Sequence, residues 1–313
     1  MIDLDWITVR IAACLPARAR SLIDGGTDSY RNGLHVRWKG QLSPDAVVVA
    51  YPEWTVVSGS PHKHLRGESV GRFGPTEIRA YAAELSDRLH IPRGVVLAGR
   101  VSRFDLGANL ILQHDAAEYI RLTSPPARMY EVGSGPGSTA FKNGYVSILF
   151  YDKAAKVRGR RLGHTLPSNW DGGHVLRVEV RFRKAAREFK RPLALGDLCT
   201  DEFWEVATER WLSRVLSVPL NPLTYTVPFA LTKSALRDRY AELGVQVSGG
   251  RDAALLRVNR AYRAGLMTSA QAKPLRRWVV NVDIGFDDVD LVGPAAVPLI
   301  AELDQAIRAA VLY

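Results

Sequence analysis

Three runs in the middle of the chain alternate polar and apolar residues with a period of two, and that period suits a β-strand with unlike faces. In VSRFDLG, Arg103 and Asp105 share one face while Phe104 and Leu106 share the other. In ILFYDK, Tyr151 and Lys153 lie together, opposite Phe150 and Asp152. In LRVEVRF, Arg177, Glu179 and Arg181 oppose Val178, Val180 and Phe182. If these strands are neighbours and their polar faces coincide, a tyrosine, two carboxylates and several cations converge on one side of a sheet.

The surrounding sequence extends this pattern. WITVRIAA, LHVRWKGQL, AVVVAYPEWTVVSG and GVVLAGRVSRFDLGANLIL, with YVSILFYDK and HVLRVEVRFR, are rich in Val, Ile, Leu and aromatic residues and are punctuated by Gly, Asn, Asp and Pro. One helix interrupts them, in GPTEIRAYAAELSDRLHIP, where Ile78, Tyr81, Ala82, Leu85 and Leu89 fall at helical spacing between Pro75 and Pro92. The expected fold is α+β: a central, mostly antiparallel sheet with flanking helices over residues 1–195, followed by a helix-rich region over 196–313. In the latter, Trp204, Ala207, Trp211 and Val215 form one helical stripe, and Thr232 caps a helix that stops at Gly244. RDAALLRVNRAYRAGLM and TSAQAKPLRR add one or two more helices, WVVNVDIGF reads as a closing strand, and PLIAELDQAIRAAVLY as a terminal helix.

Charge is unevenly placed along the 313 residues. From Lys153 to Arg191 twelve basic residues face three acids, and from Lys233 to Trp278 ten face three, so these segments carry +9 and +7 of a net +10 and the rest of the chain is mildly acidic. Concentrated positive charge suits a phosphate backbone, although charges clustered in sequence can also scatter over unrelated faces once folded. No apolar run approaches the roughly 18 to 20 residues that cross a bilayer, and MIDLDWITVR carries acids where a signal peptide carries basic residues, so a cytoplasmic protein with no membrane contact is expected. Cys14 and Cys199 are far apart and form neither a CxxC pair nor a Cys/His cluster.

The converging polar set has a chemical logic. Asp105 and Glu179 are hard oxygen ligands able to hold Mg²⁺ or Mn²⁺ with positions left for a phosphate oxygen. A tyrosine oxygen beside such an ion can attack phosphorus and stay attached, turning strand cleavage into a reversible transesterification. With an ordinary pKa near 10, Tyr151 needs help to lose its proton, from Lys153 or the metal. The same alternation also describes a sheet with a plain wet face, where Arg–Glu cross-strand pairs are routine.

The order of the motifs adds to this. MIDLDWITVRI, GRFGPTEI, VSRFDLGANL, LFYDK, LRVEVRFRK and WVVNVDIGF together resemble the gene II replication initiators of filamentous bacteriophages and, more distantly, rolling-circle plasmid initiators with a Tyr-x-Lys motif. The resemblance implies an origin-specific endonuclease in the host bacterial cytoplasm. Such an enzyme nicks one strand of supercoiled, double-stranded replicative-form DNA at a plus-strand origin, leaves a 3′-hydroxyl as primer, and later cuts and rejoins the displaced single-stranded DNA. By position, Tyr151 is the implied nucleophile, Lys153 its basic partner, and Asp105 and Glu179 the implied metal ligands. Where the family pattern often continues to a glutamate, this chain has Lys156; Tyr130 and Tyr145 are reserve nucleophiles. No nucleotide-hydrolysis motif is present, so unwinding calls for a host helicase.

Other signals are weaker. His114, in LQHDAAEY, is a further possible ligand from the strand that carries Asp105, whereas His62 and His64 of PHKHL read as a solvated loop. GSGPG lacks the Lys-Ser/Thr of a phosphate-binding loop and reads as a turn. Arg103, Arg158, Arg160, Arg161, Arg177 and Arg181 are the expected DNA contacts of the sheet region. Arg257 and Arg260, with Arg251 and Arg263, fall on overlapping helical faces that suit either phosphate binding or the solvated side of a helical cap. The competing function is a DNA-binding protein without catalysis, a regulator or packaging factor.

Overall fold

A computed structural model describes residues 2–31, 34–67, 73–135, 137–159, 170, 174–220, 267–281 and 296–311, with isolated helical residues between 255 and 263. The strands are β1 (Ile2–Ile11), β2 (Asp24–Arg31), β3 (Leu34–Ser43), β4 (Ala46–Ala50), β5 (Thr55–Gly59), β6 (Arg100–Leu112), β7 (Tyr130–Gly135), β8 (Ser138–Lys142), β9 (Val146–Asp152), β10 (His174–Phe182) and β11 (Leu193–Ala194). They form one sheet in the order β2-β3-β4-β5-β1-β6-β10-β9-β8-β7, with β11 added to β6 and every pairing antiparallel. The fold is α+β, as the strand and helix patterns predict. No helix among the described residues is long and apolar enough to cross a membrane.

Alternation decides which side of the sheet is buried. Ile7, Val9 and Ile11 of β1, Phe104, Leu106 and Ala108 of β6, and Val178, Val180 and Phe182 of β10 are all fully enclosed. Helices cover part of that side. The helices of the described residues are α1 (Ala17–Arg20), α2 (Pro61–Arg66), α3 (Pro75–Leu89), α4 (Arg93–Leu97), α5 (Ala116–Leu122), α6 (Lys153–Gly159), α7 (Ala185–Glu188), α8 (Asp201–Leu216), α9 (Ser269–Asn281) and α10 (Ala296–Ala309). In α3 the five apolar residues read from the sequence are all buried, Pro75 opens the helix, and the Glu77 carboxylate accepts from the Gly74 N–H at 2.9 Å. The run read as a strand from Gly94 begins instead as helix α4, and β6 starts only at Arg100.

The chain divides into two compact units, Met1–Pro222 with Pro294–Tyr313, and Leu223–Gly293. The first therefore reaches past residue 195, where the sequence placed a boundary, and the reason is aromatic packing. Phe203 of α8 packs on Phe104 and Phe189, which also meet each other, and Phe182 meets Phe189, with centroids 5.5 to 5.7 Å apart across these contacts. The Thr200 hydroxyl caps α8 by accepting from the Phe203 N–H at 3.3 Å. The terminal helix α10 belongs to this unit as well: Glu302 accepts from the Gln113 N–H at 2.7 Å and from the Tyr119 hydroxyl at 2.6 Å. In the second unit Trp278–Asn281 end helix α9 and so are not part of a strand, because a Thr268/Gln271 capping box starts a helix that runs through WVVN. The rest of that run, residues 282–286, and the helix expected after Thr232 lie outside the described residues.

Phe203→Ala should lower the unfolding free energy by about 3–5 kcal/mol, because a buried aromatic leaves a cavity that the rigid sheet cannot close. Urea titration against the parent chain measures it.

Candidate active site

The three alternating strands are neighbours. β10 lies between β6 and β9, with Arg181 opposite Asp105 and Ser147, Glu179 opposite Gly107 and Leu149, and Arg177 opposite Asn109 and Tyr151. Their polar faces therefore coincide, and β1 adds Asp3, directly across from Gly107. Asp5, two residues on from Asp3, shares its face, with Oδ2 3.7 Å from Arg177 Nη2, and a register shift between Leu4 and Trp6 brings Trp6 onto that face as well, opposite Asp105.

Arg177 is the centre of this cluster and only 1% exposed. Its Nε donates to Glu179 Oε1 at 3.1 Å, Nη1 to Asn109 Oδ1 at 3.0 Å, and Nη2 to Asp3 Oδ1 at 3.0 Å, while Asp5 Oδ2 stands 3.7 Å from Nη2. The guanidinium rests on Gly107, where a Cβ would meet Nη2 at 2.6 Å, so the absence of a side chain makes room for the charge. Glu179 in turn accepts from the Tyr151 hydroxyl at 2.5 Å and from Arg181 Nη2 at 3.0 Å. Arg103 grips Asp105 through both carboxylate oxygens, at 2.9 and 2.6 Å, and Arg181 Nε lies 3.5 Å from Asp105. Lys153 closes the cluster at the junction of β9 and α6 and is buried.

These neighbours move the protons apart. Burial alone would raise the Glu179 carboxyl, but the Arg177 charge, the Tyr151 hydrogen bond and Arg181 outweigh it and hold Glu179 well below the usual carboxylate range. Burial and the Glu179 charge push the Tyr151 hydroxyl far above its ordinary value. Asp5 is raised to about 6 by burial, opposed by Arg177 and reinforced by Glu179 and Asp3, so of the two neighbouring carboxyls Asp5 is the first to take up a proton as pH falls. Burial also raises Asp105 against the hold of Arg103, and burial with Arg177 lowers Lys153 to about 8. The group is a tyrosine donor on a carboxylate, oriented by two arginines, beside a lysine that gives up its proton readily.

Of the residues singled out in the sequence, Asp105, Tyr151, Lys153, Arg177, Glu179, Arg103 and Arg181 come together here. His114 does not, since Asp105 and Leu112 are seven residues apart in one strand, about 23 Å at roughly 3.3 Å per residue, and His114 lies beyond that end beside Tyr119. Arg177 is buried beneath its acidic partners rather than offered to DNA, whereas Arg103 and Arg181 stay about one-third exposed, at 34% and 33%. Arg158 is exposed on α6, and Arg160, Arg161, Arg257 and Arg260 lie outside the described residues. Lys156, where the resemblance implies a glutamate, sets its ammonium 4.1 Å from the centroid of the Tyr151 ring. Tyr130 is exposed on the outer strand β7, and Tyr145 precedes β9 at the end remote from Tyr151.

The histidines of PHKHL are not in a solvated loop. They occupy the short helix α2, which Ser60 caps, with buried His62 against Phe73 and His64 edge-on to Tyr81. Of GSGPG, Gly133–Gly135 end strand β7, with Gly135 opposite Ser138 of β8, and Pro136 lies outside the described residues.

Asp105 and Glu179 do not fit a divalent ion in this arrangement. Magnesium asks for a near-octahedral shell of oxygens, and both carboxylates already accept guanidinium N–H groups along their oxygen edges. Asp3, Asp5, Asp105 and Glu179 are matched in number by Arg103, Arg177, Arg181 and Lys153, and among the described residues no group of three or more His, Cys, Asp or Glu side chains is arranged to hold a metal. Asp3, Asp5, Asn109 and Gly107 escaped the sequence reading. The Asp-x-Asp spacing in β1 was a usable sign of Asp3 and Asp5 on one face, but the bulge that brings Trp6 onto it has no evident sequence signature.

Gly107→Ala should cost about 1–3 kcal/mol, as overpacking does, and should unseat Arg177, measurable as a lowered midpoint in urea. Asp5 should also leave a mark on the pH dependence of stability. Between its ordinary 3.8 and about 6 the folded chain keeps a proton that the unfolded chain has released, so this group's contribution is present at low pH and lost as pH rises through 6. Asp5→Asn should flatten that fall, so that the slopes of thermal stability against pH in the variant and the parent chain differ most between about pH 4 and 6. In comparison with known proteins, no family model matches the chain and no curated protein matches it.

Proposed function

We propose that this chain is a rolling-circle replication initiator that nicks and rejoins DNA through Tyr151. The observation that carries the reading is the 2.5 Å bond from the Tyr151 hydroxyl to Glu179, a nucleophile already paired with a proton acceptor and oriented by Arg177 and Arg181. At rest the proton stays on tyrosine, because the arginines make Glu179 a weak base. A DNA phosphate entering beside Arg181 and Arg103 competes for those cations. As they turn to the phosphate, Glu179 regains basicity and accepts the tyrosine proton.

The tyrosine oxygen then forms a bond to phosphorus, and the bond from phosphorus to the 3′-oxygen breaks. Lys153 supplies the proton that makes that oxygen a 3′-hydroxyl, and the 5′-phosphate remains on Tyr151. Reversal of the same step joins a 3′-hydroxyl to the held 5′-phosphate and releases the enzyme. The DNA would be supercoiled replicative form carrying a plus-strand origin, with a host helicase to unwind it and single-stranded DNA as the product, in a bacterial cytoplasm.

The second reading, a DNA-binding protein without chemistry, is favoured by one feature: Tyr151 is buried to 7% exposure and both expected metal ligands are neutralised by arginine. Incubation with supercoiled plasmid bearing the cognate origin separates the two. The wild type should convert it to open circle, and Tyr151→Phe should lose that conversion by several orders of magnitude while keeping its DNA affinity. Tight binding by the wild type without any relaxation would favour the regulator instead.

A further inference from the structure

The polar face continues from the Tyr151 cluster along β1 into a part of the sheet that the proposed chemistry does not use. Trp6, Thr8 and Arg10 follow one another on that face, because Ile7, Val9 and Ile11 between them are fully buried on the other. Trp6 pairs across the sheet with Asp105 and lies under Arg103, whose guanidinium carbon is 5.5 Å from the ring centroid. Four residues farther, about 13 Å along a strand, Arg10 lies over Trp54 at 3.9 Å. Trp54 and Tyr51 close the β4–β5 hairpin, with ring centroids 5.2 Å apart and the Tyr51 N–H donating to the Trp54 carbonyl at 2.8 Å. The hairpin thus holds two half-buried rings in fixed relation before anything binds.

At the hairpin end of this face two charges lack acidic partners among the described residues. Arg10 stands directly opposite Arg100 in the β1–β6 ladder, both exposed, and neither makes an ion pair among the described residues. Like charges directly opposite are destabilising, and a bound anion relieves them. Glu53 is the single acid of the hairpin loop. Aromatic rings alternating with arginines along a strand match a ligand that itself alternates flat bases with phosphates and whose bases are not paired to a second strand.

We infer that the polar face of β1, with Trp54 of the adjoining hairpin, is a track for single-stranded DNA that leads to Tyr151: Trp6 and Trp54 stack bases, and Arg10 and Arg100 bind phosphates. The choice of DNA over RNA rests on the function proposed above. The test therefore uses Tyr151→Phe protein, in which no strand transfer can occur, and a labelled oligo-dT followed by fluorescence anisotropy. Trp54→Ala should weaken oligo-dT binding about 5- to 100-fold, the range for loss of one base–aromatic stack, and Trp54→Phe should restore most of it. The Arg10→Gln, Arg100→Gln pair should weaken binding and reduce its dependence on salt by about two phosphate contacts. Binding to a blunt duplex of the same length should change far less.

The track does not exist if Trp54→Ala and the arginine pair leave oligo-dT affinity unchanged, or if duplex binding falls equally. Tighter binding of oligo-U than of oligo-dT would overturn the assignment to DNA. Failure of the nicking reading shows separately, as wild-type protein that does not relax its plasmid.

Discussion

A buried guanidinium is tolerable only when its donors are met, and Arg177 meets that condition by drawing three strands together. Asp3 comes from β1, Asn109 from β6 and Glu179 from β10 itself, and the bare backbone of Gly107 provides the seat. Removing one member of such a set leaves the others charged and dry, which typically costs several kcal/mol. The centre of the sheet is therefore held on one side by apolar side chains and on the other by an ionic lattice. The second side tolerates much less substitution in kind, since each charge depends on the geometry of the next.

The same lattice explains why the tyrosine is quiet at rest. Tyr151 points its hydroxyl at a carboxylate, yet the arginines that position that carboxylate also keep it from taking the proton. In the proposed reaction positioning and activation are opposed, and a phosphate that competes for the arginines would reconcile them. A phosphate that attracts Arg181 and Arg103 would convert Glu179 from a hydrogen-bond acceptor into a base only when substrate is present. Lys156 sets an ammonium over the Tyr151 ring at the place where the resemblance implies an acid.

Much of this was legible before the structure. Period-two alternation was enough to put Tyr151, Glu179 and Asp105 on polar faces, and the α3 and α8 stripes were readable from spacing alone. What could not be read was which polar residues would find one another. Arg177 looks like any surface arginine of a wet strand, and its burial follows from the register that brings Gly107 beside Glu179. The face of Trp6 depends on a bulge, and Trp278 sits in a helix because a capping box ten residues upstream outweighs the β-propensity of WVVN. The placement of His114 failed for a simpler reason: strand length separates residues that a motif list sets side by side.

The return of α10 has a consequence for the integrity of the chain. Helix α8 ends before Leu223–Gly293 begins, and α10, anchored through Glu302 to Gln113 and Tyr119, follows after it. That middle segment is consequently joined to the larger unit at both ends. A single backbone cut anywhere inside it would release no fragment while α10 stays docked, so proteolytic nicking there need not separate the two units.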